Sequence, residues 1–415
     1  MNLGPARPAV CHVVYARYPA DPRVRREAEA LSRSGYDVDV ICLRAEGEAN
    51  QETLEDGVRV TRVPLRAIRG SRMRYIYQYM LFCLLAASYL MAKQVSRRYK
   101  AVHIHSMPDF LILVALPSRL LGCTVVLDLH ESMPELYLAR FVDREGSLGH
   151  RLTLVAQSCS CLLATRVVTV NDQIAALLNS RGIPRWQVCV IENAPDWTQS
   201  DDRTRASVAK EPFTIVIAGG LNAERDLEIV IDAAFEIARI VRIRLRLIGP
   251  GDPSYIDGLR SKVRSLGLEE TVTVEPEVPA GAVAALVTGS TIGIVSYVKN
   301  PITEIATPNK AYEYAVAGKA MVVTDLPGLK SLLGDAVVYY KPGDAKDLAR
   351  RVLVLLRNDE LRRRLGQAVR ARITAHAWPI MESRLIRMYQ GLSAAEAVES
   401  SRKGTDGRSG RMGEA

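Results

Sequence analysis

The feature that most constrains the fold is an alternation of short apolar runs with longer segments of helical spacing. In the first half of the chain, apolar and β-branched runs predict strands at residues 10–16, 37–43, 101–105, 123–129, 166–171 and 187–192. Residues 24–34 carry Val24, Ala28 and Leu31 on one helical face and are followed by Gly35, a typical helix terminator. Strands that alternate with helices indicate a parallel sheet covered on both faces.

The same alternation restarts after a polar segment with prolines, residues 193–212, which we interpret as an interdomain linker. The second set of strands is predicted at residues 213–218, 244–248, 271–274, 292–296, 320–324 and 336–340. Helices are predicted near residues 226–240, 253–266, 308–317 and 344–357. Doubly wound sheets bind ligands at the carboxyl ends of their strands, so we expect a site in a cleft between two Rossmann-like domains that face each other.

Chain length supports this division, because 415 residues exceed what a single hydrophobic core usually fills. We predict an N-terminal Rossmann-like domain at residues 1–195 and a C-terminal one at residues 212–377. A final helix at residues 378–392 is expected to cross back to the N-terminal domain. The remaining residues, 393–415, are rich in Gly, Ser, Arg and Glu and are expected to be disordered.

Composition limits the partners and the compartment. A net charge of +9 and a pI near 9.2 favour an anionic partner, which could be a nucleotide phosphate, a membrane surface or a nucleic acid. The seven cysteines form no C-x-x-C pair, and no histidine stands at zinc-finger spacing from them, so we interpret them as reduced core residues. No segment at the N-terminus has the pattern of a secretory signal, and we expect a cytoplasmic protein.

The most informative segment is TPNKAYEYAVAGK, residues 307–319. Thr307 is predicted to cap a helix of about ten residues, with Pro308 in its first turn and Gly318 just after its end. The free N–H groups and the positive dipole end of such a helix attract anions.

Two side chains of this helix fit a nucleotide. Lys310 places a cation in the first turn, where it is unfavourable unless an anion binds, and Glu313 follows one turn later on the same side. A carboxylate at that position would suit the two hydroxyls of a ribose. The alternative is an ordinary surface helix in which Lys310 and Glu313 form an exposed ion pair, and spacing alone does not decide between the two.

Two glycine-containing loops follow predicted strands in the same half. AGGLNAERD, residues 218–226, lets the backbone approach a ligand closely, and its Arg225 could bind a diphosphate with two hydrogen bonds. GPGD, residues 249–252, is interpreted as a tight turn or as a wall of a nucleotide-base pocket.

Together these segments resemble the large retaining glycosyltransferase family 4, whose members have the two-domain GT-B fold, and specifically a branch that carries P-N-K. The likeness covers residues 10 to 392 approximately and includes DPRVRREAEALSRSGYDVDVI, VLDLHESMPE, GGLNAERDLEIVIDAA, RLRLIGPGD and PNKAYEYAVAGKAMVVTD. It implies transfer of a sugar from a nucleoside diphosphate sugar to an acceptor hydroxyl, with retention of configuration. It also implies that no metal and no other cofactor takes part.

The resemblance also assigns roles to residues. The donor-binding residues that it implies are Arg225, Thr307, Asn309, Lys310 and Glu313. Glu313 would hold the ribose, the others would hold the diphosphate, and His130 would lie near the transferred sugar as the catalytic residue. Fixed cations and helix dipoles would stabilise the charge that develops on the leaving phosphate.

Two departures from the family pattern favour other functions. Ile305 stands where the family usually has a second glutamate, eight positions before Glu313, and Glu304 is one residue out of register. Gly220 replaces the usual arginine of the first glycine-rich loop. A non-catalytic nucleotide-sugar-binding or scaffold subunit is therefore an alternative, and a sugar-nucleotide epimerase of similar fold is another.

His130 and Glu131 end the apolar run VVLDLHE, where a doubly wound domain exposes its chemistry. Without the family likeness, a lone histidine there would be interpreted as structural. Glu131 and Glu135 are interpreted as part of a polar loop, with acceptor binding as the alternative. His103 and His105 point to one side of a strand, but no third ligand is evident, so they are interpreted as structural.

Asp37 and Asp39 spell D-x-D, which in other glycosyltransferases holds a divalent metal. Because they alternate with valines on a predicted strand, we interpret them as a strand start facing solvent and predict no metal there.

A basic segment without acidic residues lies between Gly57 and Pro108. Its cationic residues are Arg59, Arg62, Arg66, Arg69, Arg72, Arg74, Lys93, Arg97, Arg98 and Lys100. They enclose the apolar residues 75–92, which are interpreted as a core helix with basic flanks or as a surface that rests on anionic lipid.

Membrane contact would place the protein peripherally on the inner face of the plasma membrane. It would suit a lipid-linked acceptor in surface polysaccharide or glycolipid assembly, as an alternative to a free sugar acceptor. Nucleic acid binding is not expected, because the tyrosines of this segment lie in an apolar helix rather than in an RNA-binding signature.

Overall fold

The computed structural model describes residues 7–65, 72–141, 144–194 and 211–406. They form two compact units: unit 1 comprises Met1–Glu192 and Pro379–Ala415, and unit 2 comprises Asn193–Trp378, in each case as far as these residues are described. Most of the predicted linker, residues 195–210, lies outside the described residues.

Unit 1 is built on a single eight-stranded sheet. Its strands are β1 (Ala9–Arg17), β2 (Asp37–Leu43), β3 (Gln51–Thr53), β4 (Arg59–Val63), β5 (Ala101–His105), β6 (Thr124–Leu129), β7 (Arg166–Thr169) and β8 (Val188–Val190). Their order is β3-β4-β2-β1-β5-β6-β7-β8, and all neighbours are parallel except β3 and β4. The chain therefore winds in both directions from β1, which confirms the predicted doubly wound sheet. The six predicted strands are present, and β3 and β4 are two further strands that were not predicted.

The helices that precede unit 2 are α1 (Pro22–Arg33), α2 (Arg72–Arg97), α3 (Leu116–Leu120), α4 (Met133–Phe141), α5 (Leu148–Leu163) and α6 (Asp172–Ser180). Local sequence explains the bounds of α1. The Asp21 carboxylate accepts a hydrogen bond from the Arg23 N–H at 3.0 Å, Pro22 fits the first turn, and Gly35 has a φ of +91° just beyond the end. A 3₁₀ helix at Asp109–Ala115 lies between β5 and α3.

Helix α2 has an unusual distribution of apolar side chains. Among the described residues it is the one helix that is long and apolar enough to cross a membrane, judged by length and composition at Tyr77–Arg97, with only 22% of the apolar window buried. Phe82, Ala86 and Leu90 face the core of unit 1. Other apolar side chains of the helix, among them Met80 and Leu84, are exposed.

Unit 2 has a second parallel sheet. Its strands are β9 (Phe213–Ala218), β10 (Ile243–Ile248), β11 (Val272–Glu275), β12 (Gly293–Val295), β13 (Met321–Thr324) and β14 (Val338–Tyr340), all of them predicted. They form two parallel ladders, β11-β10-β9 and β12-β13-β14. A parallel bridge between Ile215 of β9 and Ile292, which directly precedes β12, joins the two ladders. The strand order is again that of a doubly wound sheet.

The helices of unit 2 are α7 (Leu227–Ala238), α8 (Pro253–Ser265), α9 (Ala280–Gly289), α10 (Pro301–Ile305), α11 (Asn309–Val316), α12 (Pro327–Leu333), α13 (Ala345–Leu356) and α14 (Asp359–Thr374). One core cluster of unit 2 contains buried residues of β10, β13, α7 and α13, among them Leu247, Val322, Ile231 and Leu348. The chain thus has two Rossmann-like α/β domains.

The final helix, α15 (Trp378–Asp406), belongs mainly to unit 1, since its Glu382 pairs with Arg33 at 2.8 Å. It is longer than the predicted 378–392 and continues through residues 393–406, while the expected disorder of residues 393–415 stays a prediction. The reason for the longer helix is local: residues 394–397 read Ala-Ala-Glu-Ala, and these residue types have high helix propensity. The rest of the predicted tail, residues 407–415, lies outside the described residues.

Candidate functional site

The site in unit 2 forms where the strand order reverses, between β9 and β12. The loops that follow these two strands run in opposite directions and leave a crevice at the carboxyl edge of the sheet. Gly219 is the first residue after β9, and Tyr297 follows β12 by two positions. Sequence reasoning identified the first loop but not Tyr297, because no glycine-rich segment follows the strand predicted at residues 292–296.

Gly219 brings the backbone against two cationic side chains. A Cβ atom on this residue would lie 3.0 Å from Lys310 Nζ and 3.9 Å from Arg225 Nη2, and the φ of Gly219 is +115°. The positive φ therefore favours glycine here, and the absence of a side chain leaves room for the two cationic groups. Lys310 and Arg225, which are 85 positions apart in the sequence, converge at this point.

Lys310 is held in an environment that opposes its charge. It is only 6% exposed, and burial, reinforced by the Arg225 guanidinium and partly opposed by Glu313, lowers its pKa to about 7. Because both cationic groups approach Gly219, they lie within about 7 Å of each other and repel by about 2 kcal/mol at an effective dielectric constant of about 20. An anion bound between them would relieve this repulsion.

Arg225 is positioned by a special backbone conformation. It ends a 3₁₀ helix at Ala223–Arg225, and Asp226, with a φ of +51°, turns the chain into α7. The guanidinium carbon lies 5.6 Å from the centre of the Tyr297 ring, a cation–π contact. The Arg225 Nε atom is buried and has no hydrogen-bond partner among the described residues, so it remains able to bind a ligand.

The helix that carries Lys310 begins later than predicted. Pro308, and not Thr307, is the N-cap residue of α11, because Pro308 is extended, with a ψ of 142°, and the helical conformation starts at Asn309. The predicted capping role of Thr307 is therefore wrong, and the helix has eight residues instead of about ten. Asn309 is exposed in the first turn. Gly318 follows the end of the helix with a φ of +62°, as expected.

Glu313 lies one turn after Lys310 and is half-buried. Its charge acts on the pKa of both Lys310 and Tyr297, which places the carboxylate within electrostatic range of the crevice. The alternative of an exposed ion pair between Lys310 and Glu313 is not what forms, because Lys310 is buried. The donor-binding role of the five predicted residues stays a prediction.

The second glycine-containing loop supports the first one. A Cβ atom on Gly249, whose φ is +151°, would lie 2.1 Å from the carbonyl oxygen of Gly219. The Leu221 N–H also donates to the Pro250 carbonyl at 2.7 Å. The side chain of Asp252 then caps α8, so the loop is a turn and a cap that holds the Gly219 loop in place.

The two departures from the family pattern have different surroundings. Glu304 lies 3.4 Å from Lys299 in a largely exposed ion pair, and it ends the short helix α10 together with Ile305. A Cβ atom on Gly220 would meet only the Pro250 carbonyl at 4.0 Å, so the backbone does not require glycine there.

In unit 1, His130 directly follows β6, on the carboxyl edge of the sheet. Its Nε2 atom lies 3.1 Å from Asp128 Oδ2, although without hydrogen-bonding geometry, and its ring stacks on His105 at 5.6 Å between centres. Burial lowers the pKa of His130 to about 4 against the opposing effect of Asp128, so the imidazole is neutral at pH 7. A neutral ring can donate a hydrogen bond to a sugar hydroxyl through one nitrogen and accept one through the other.

Two residues near His130 had no predicted role. Asp21 and Arg23, at the start of α1, form an ion pair at 3.1 Å, and their charges act on the pKa of His130. In the sequence, this pair could have been anticipated from Asp21-Pro22-Arg23 at the start of the first helix. Glu135 is not in a loop: it lies in α4, nearly buried, where Ser132 and Arg181 bind its carboxylate. Its contacts are structural.

The D-x-D aspartates are ion-paired rather than facing solvent. Asp39 is 1% exposed and lies within 3.2 Å of Arg59 and of Arg97, while Asp37 also pairs with both arginines. The predicted solvent-facing position is therefore wrong for Asp39, because the long cationic side chains of β4 and α2 fold over β2.

The basic segment is likewise partly neutralised by acidic residues that lie outside it in sequence. Arg62 pairs with Glu48 and Glu52, and Lys93 pairs with Asp39. Arg98 and Lys100 are exposed. Arg66 and Arg69 lie outside the described residues, and the side chain of Arg72 is not described.

The chain is similar to known proteins over most of its length. Residues 20–194 match the family model described as glycosyl transferase 4-like domain, and residues 199–372 match the model for glycosyl transferases group 1. None of the curated protein sequences compared with the chain matches it.

Several solved structures share the fold. Sucrose-phosphate synthase from Thermosynechococcus elongatus aligns over 94% of this chain and 100% of its own, with a TM-score of 0.76 and 19% identity. Trehalose 6-phosphate synthase from Burkholderia multivorans aligns over 95% and 98%, with a TM-score of 0.68 and 15% identity. HepE from Anabaena, in complex with UDP and glucose, aligns over 93% and 100%, with a TM-score of 0.66 and 13% identity.

Proposed function

The chain belongs to the glycosyltransferases of the GT-B fold, and we propose that it transfers a sugar from a nucleoside diphosphate sugar to an acceptor hydroxyl, with retention of configuration. The observation that carries this proposal is the convergence of Lys310 and Arg225 on the backbone of Gly219 at the switch point of unit 2. Two cations that repel each other in a buried crevice are stabilised by a diphosphate. Membership of the branch that carries P-N-K stays a prediction.

Within this proposal each donor residue has a distinct task. Lys310, Arg225 and the N–H groups near Thr307 and Asn309 bind the diphosphate and stabilise its charge as the glycosidic bond breaks, so no metal is required for that purpose. Glu313 accepts hydrogen bonds from the ribose hydroxyls. His130 of unit 1, neutral at pH 7, is the proposed catalytic residue.

Donor turnover tests the proposal directly. We expect the protein to release free sugar slowly from one member of a panel of UDP, GDP, ADP and dTDP sugars, in the absence of acceptor. UDP-glucose is the first probe, because a HepE structure that shares this fold holds it. Glu313→Ala should lose the turnover, whereas Lys319→Ala, a matched change just beyond the same helix, should retain it.

Three results would contradict the proposal. Tight binding of a nucleotide sugar without any hydrolysis or transfer would favour the non-catalytic subunit that Ile305 and Gly220 suggested. A nucleotide-linked product with an altered sugar would favour the epimerase. If none of the four nucleoside diphosphates binds at millimolar concentration, the proposed donor site itself is excluded.

Donor affinity should depend on pH through Lys310. Its pKa is about 7 in the free protein, and a bound diphosphate favours the charged ammonium, so the pKa rises in the complex. Binding energy from this charge is fully present below pH 7 and is lost as the pH rises above it. UDP-glucose should bind roughly tenfold more weakly at pH 8 than at pH 6.

Isothermal titration calorimetry in two buffers of different ionisation enthalpy would measure this effect and the accompanying proton uptake. UDP-glucose is preferable to UDP, because its diphosphate has no ionisable terminal phosphate. In Lys310→Met the affinity should be low and independent of pH between 6 and 8. A wild-type affinity that does not change with pH would contradict the assignment.

We further propose that unit 1 rests on an anionic membrane surface and that the acceptor is lipid-linked, as in surface polysaccharide or glycolipid assembly on the inner face of the plasma membrane. On α2, Tyr77, Met80, Leu84 and Val95 form an apolar stripe that is 58–78% exposed, opposite the face that packs on unit 1. This stripe, rather than the basic segment alone, supports the proposal, because several of the basic residues are already paired.

Helix α5 has a similar exposed stripe, with Leu148, Leu152, Val155 and Leu162. Both helices pack against the same 3₁₀ helix, Asp109–Ala115, and so belong to one side of unit 1. Exposed apolar side chains with cations nearby are typical of proteins that lie on a membrane interface.

Vesicle co-sedimentation tests this surface. Met80→Glu combined with Leu84→Glu should reduce binding to anionic vesicles by roughly tenfold or more, because burying two carboxylates in the lipid interface is unfavourable. Val354→Glu, a half-exposed apolar position on α13 of unit 2, is the control and should bind as the wild type does. Absence of wild-type binding even at low salt would exclude the membrane surface.

A further inference from the structure

A second group of functional side chains lies inside unit 1, on the sheet face that α1 and α15 cover. His12 on β1 is the register neighbour of His103 on β5, and His105 follows on the same side two residues later. Glu27 of α1 lies over them, with its Oε2 atom 3.7 Å from His103 Nε2. All three histidines are fully buried and Glu27 is 5% exposed. The interpretation of His103 and His105 as lacking a third ligand is therefore wrong.

The donor atoms of these four residues are close enough to share one ion. One nitrogen or carboxylate oxygen from each of His12, Glu27, His103 and His105 lies within 4.8 Å of the others. His12 Nδ1 and His105 Nε2 share a hydrogen bond of 2.8 Å, and the separation of His103 Nε2 from Glu27 Oε2 is 3.7 Å. These values bracket the roughly 3.3 Å between neighbouring ligand atoms of a tetrahedral site with metal–ligand distances of about 2.0–2.2 Å.

Outer residues orient the rings as they do in metal sites. His105 Nδ1 is 2.9 Å from Asp128 Oδ2, and His103 Nδ1 is 3.0 Å from the Tyr389 hydroxyl. A carboxylate or hydroxyl on the far nitrogen fixes the tautomer and turns the other nitrogen toward the ion.

Hydrogen bonding alone leaves this cluster incomplete. His103 Nε2 and Glu27 Oε2, the two atoms 3.7 Å apart, are buried and have no hydrogen-bond partner among the residues that the structure describes. Buried polar atoms are normally paired, so two unpaired atoms on adjacent side chains that face each other point to a missing partner.

From this geometry we propose that His12, Glu27, His103 and His105 bind a divalent transition-metal ion, with Asp128 and Tyr389 as outer partners. Imidazole and carboxylate ligands suit Zn²⁺, Co²⁺ or Fe²⁺ rather than Mg²⁺ or Ca²⁺. The site is closed, since its four residues are buried, so its role is structural: it joins β1, β5 and α1. The residues proposed to bind the diphosphate, Lys310 and Arg225, lie in unit 2 and are not part of this cluster.

Reconstitution with Zn²⁺ and Co²⁺ tests the proposal on the full chain. After treatment with a chelator, addition of the metal and gel filtration, the wild type should retain about one ion per chain. Bound Co²⁺ should show the visible absorption bands of a four-coordinate nitrogen and oxygen site, and bound Zn²⁺ should raise the melting temperature. X-ray absorption of the zinc form should show scattering from imidazole rings.

Glu27→Gln and His103→Gln should each lower metal retention at least tenfold. His150→Gln is the matched control, because His150 is a buried histidine of unit 1 that accepts a hydrogen bond from the Gly146 N–H at 3.0 Å and lies outside the cluster. Circular dichroism of each chelated variant shows whether it folds.

Failure of the wild type to retain Zn²⁺ or Co²⁺ would overturn the proposal, as would full retention by folded Glu27→Gln and His103→Gln. X-ray absorption spectra of the zinc form that lack imidazole scattering would overturn the proposal even if neither variant folds. Nucleotide binding is measured in parallel: chelation should leave the affinity for UDP-glucose unchanged, so the metal site and the donor site can fail independently.

Discussion

Lys310→Met should weaken the binding of a nucleoside diphosphate sugar by roughly 10- to 100-fold, equivalent to about 1.5–3 kcal/mol for a charge-assisted contact. Methionine keeps the apolar stem of the side chain and removes only the ammonium group. The free protein should be no less stable, and it should be slightly more stable, because the buried cation and its repulsion by Arg225 are removed. Calorimetry and thermal unfolding on the same sample would measure both quantities.

The direction of the stability change separates a functional lysine from a structural one. If Lys310 stabilises the fold through buried contacts, the melting temperature of Lys310→Met should fall and donor affinity should change little. Lys319→Met is the control, because Lys319 lies beyond the C-terminal end of α11, away from Lys310 in the first turn. This variant should change neither the donor affinity nor the pH dependence of that affinity. An unchanged donor affinity in Lys310→Met would contradict the site.

Gly249→Ala should destabilise unit 2 by about 3 kcal/mol or more. The added Cβ would be placed 2.1 Å from the Gly219 carbonyl oxygen, and the φ of +151° is unfavourable for any residue with a side chain. Relief of the clash would displace Gly219 from Lys310 and Arg225, so donor affinity should fall as well. Denaturant unfolding and nucleotide titration measure the two effects.

Gly258→Ala provides a matched control in the same unit. Gly258 lies in α8, and a Cβ atom there would meet nothing within 4 Å. Alanine in an exposed helix is favoured over glycine by about 0.5–1 kcal/mol, so this variant should be slightly more stable and should bind the donor normally. Equal stability of the two variants would show that the close approach at Gly249 does not matter.

The features that the sequence analysis missed share one cause, which is contact between segments that are far apart in the chain. His12, Glu27 and His103 each lie in a separate apolar or helical segment, and none has metal-ligand spacing to the others. Only the pairing of β1 with β5 brings two of them together. In the same way, the basic segment contains no acidic residue, but strand pairing places Asp39 beside Arg59.

Amino-acid order by itself determined the two α/β halves, all but two of the strands, and the end of α11 at Gly318, because periodicity and capping depend on neighbouring residues. It also identified Arg225 and Lys310 as separate candidates. Only the tertiary structure decided that these cations meet at Gly219, that Lys310 is buried and that four buried side chains cluster in unit 1. Burial and long-range electrostatics depend on which segments pack together, and local spacing does not specify that.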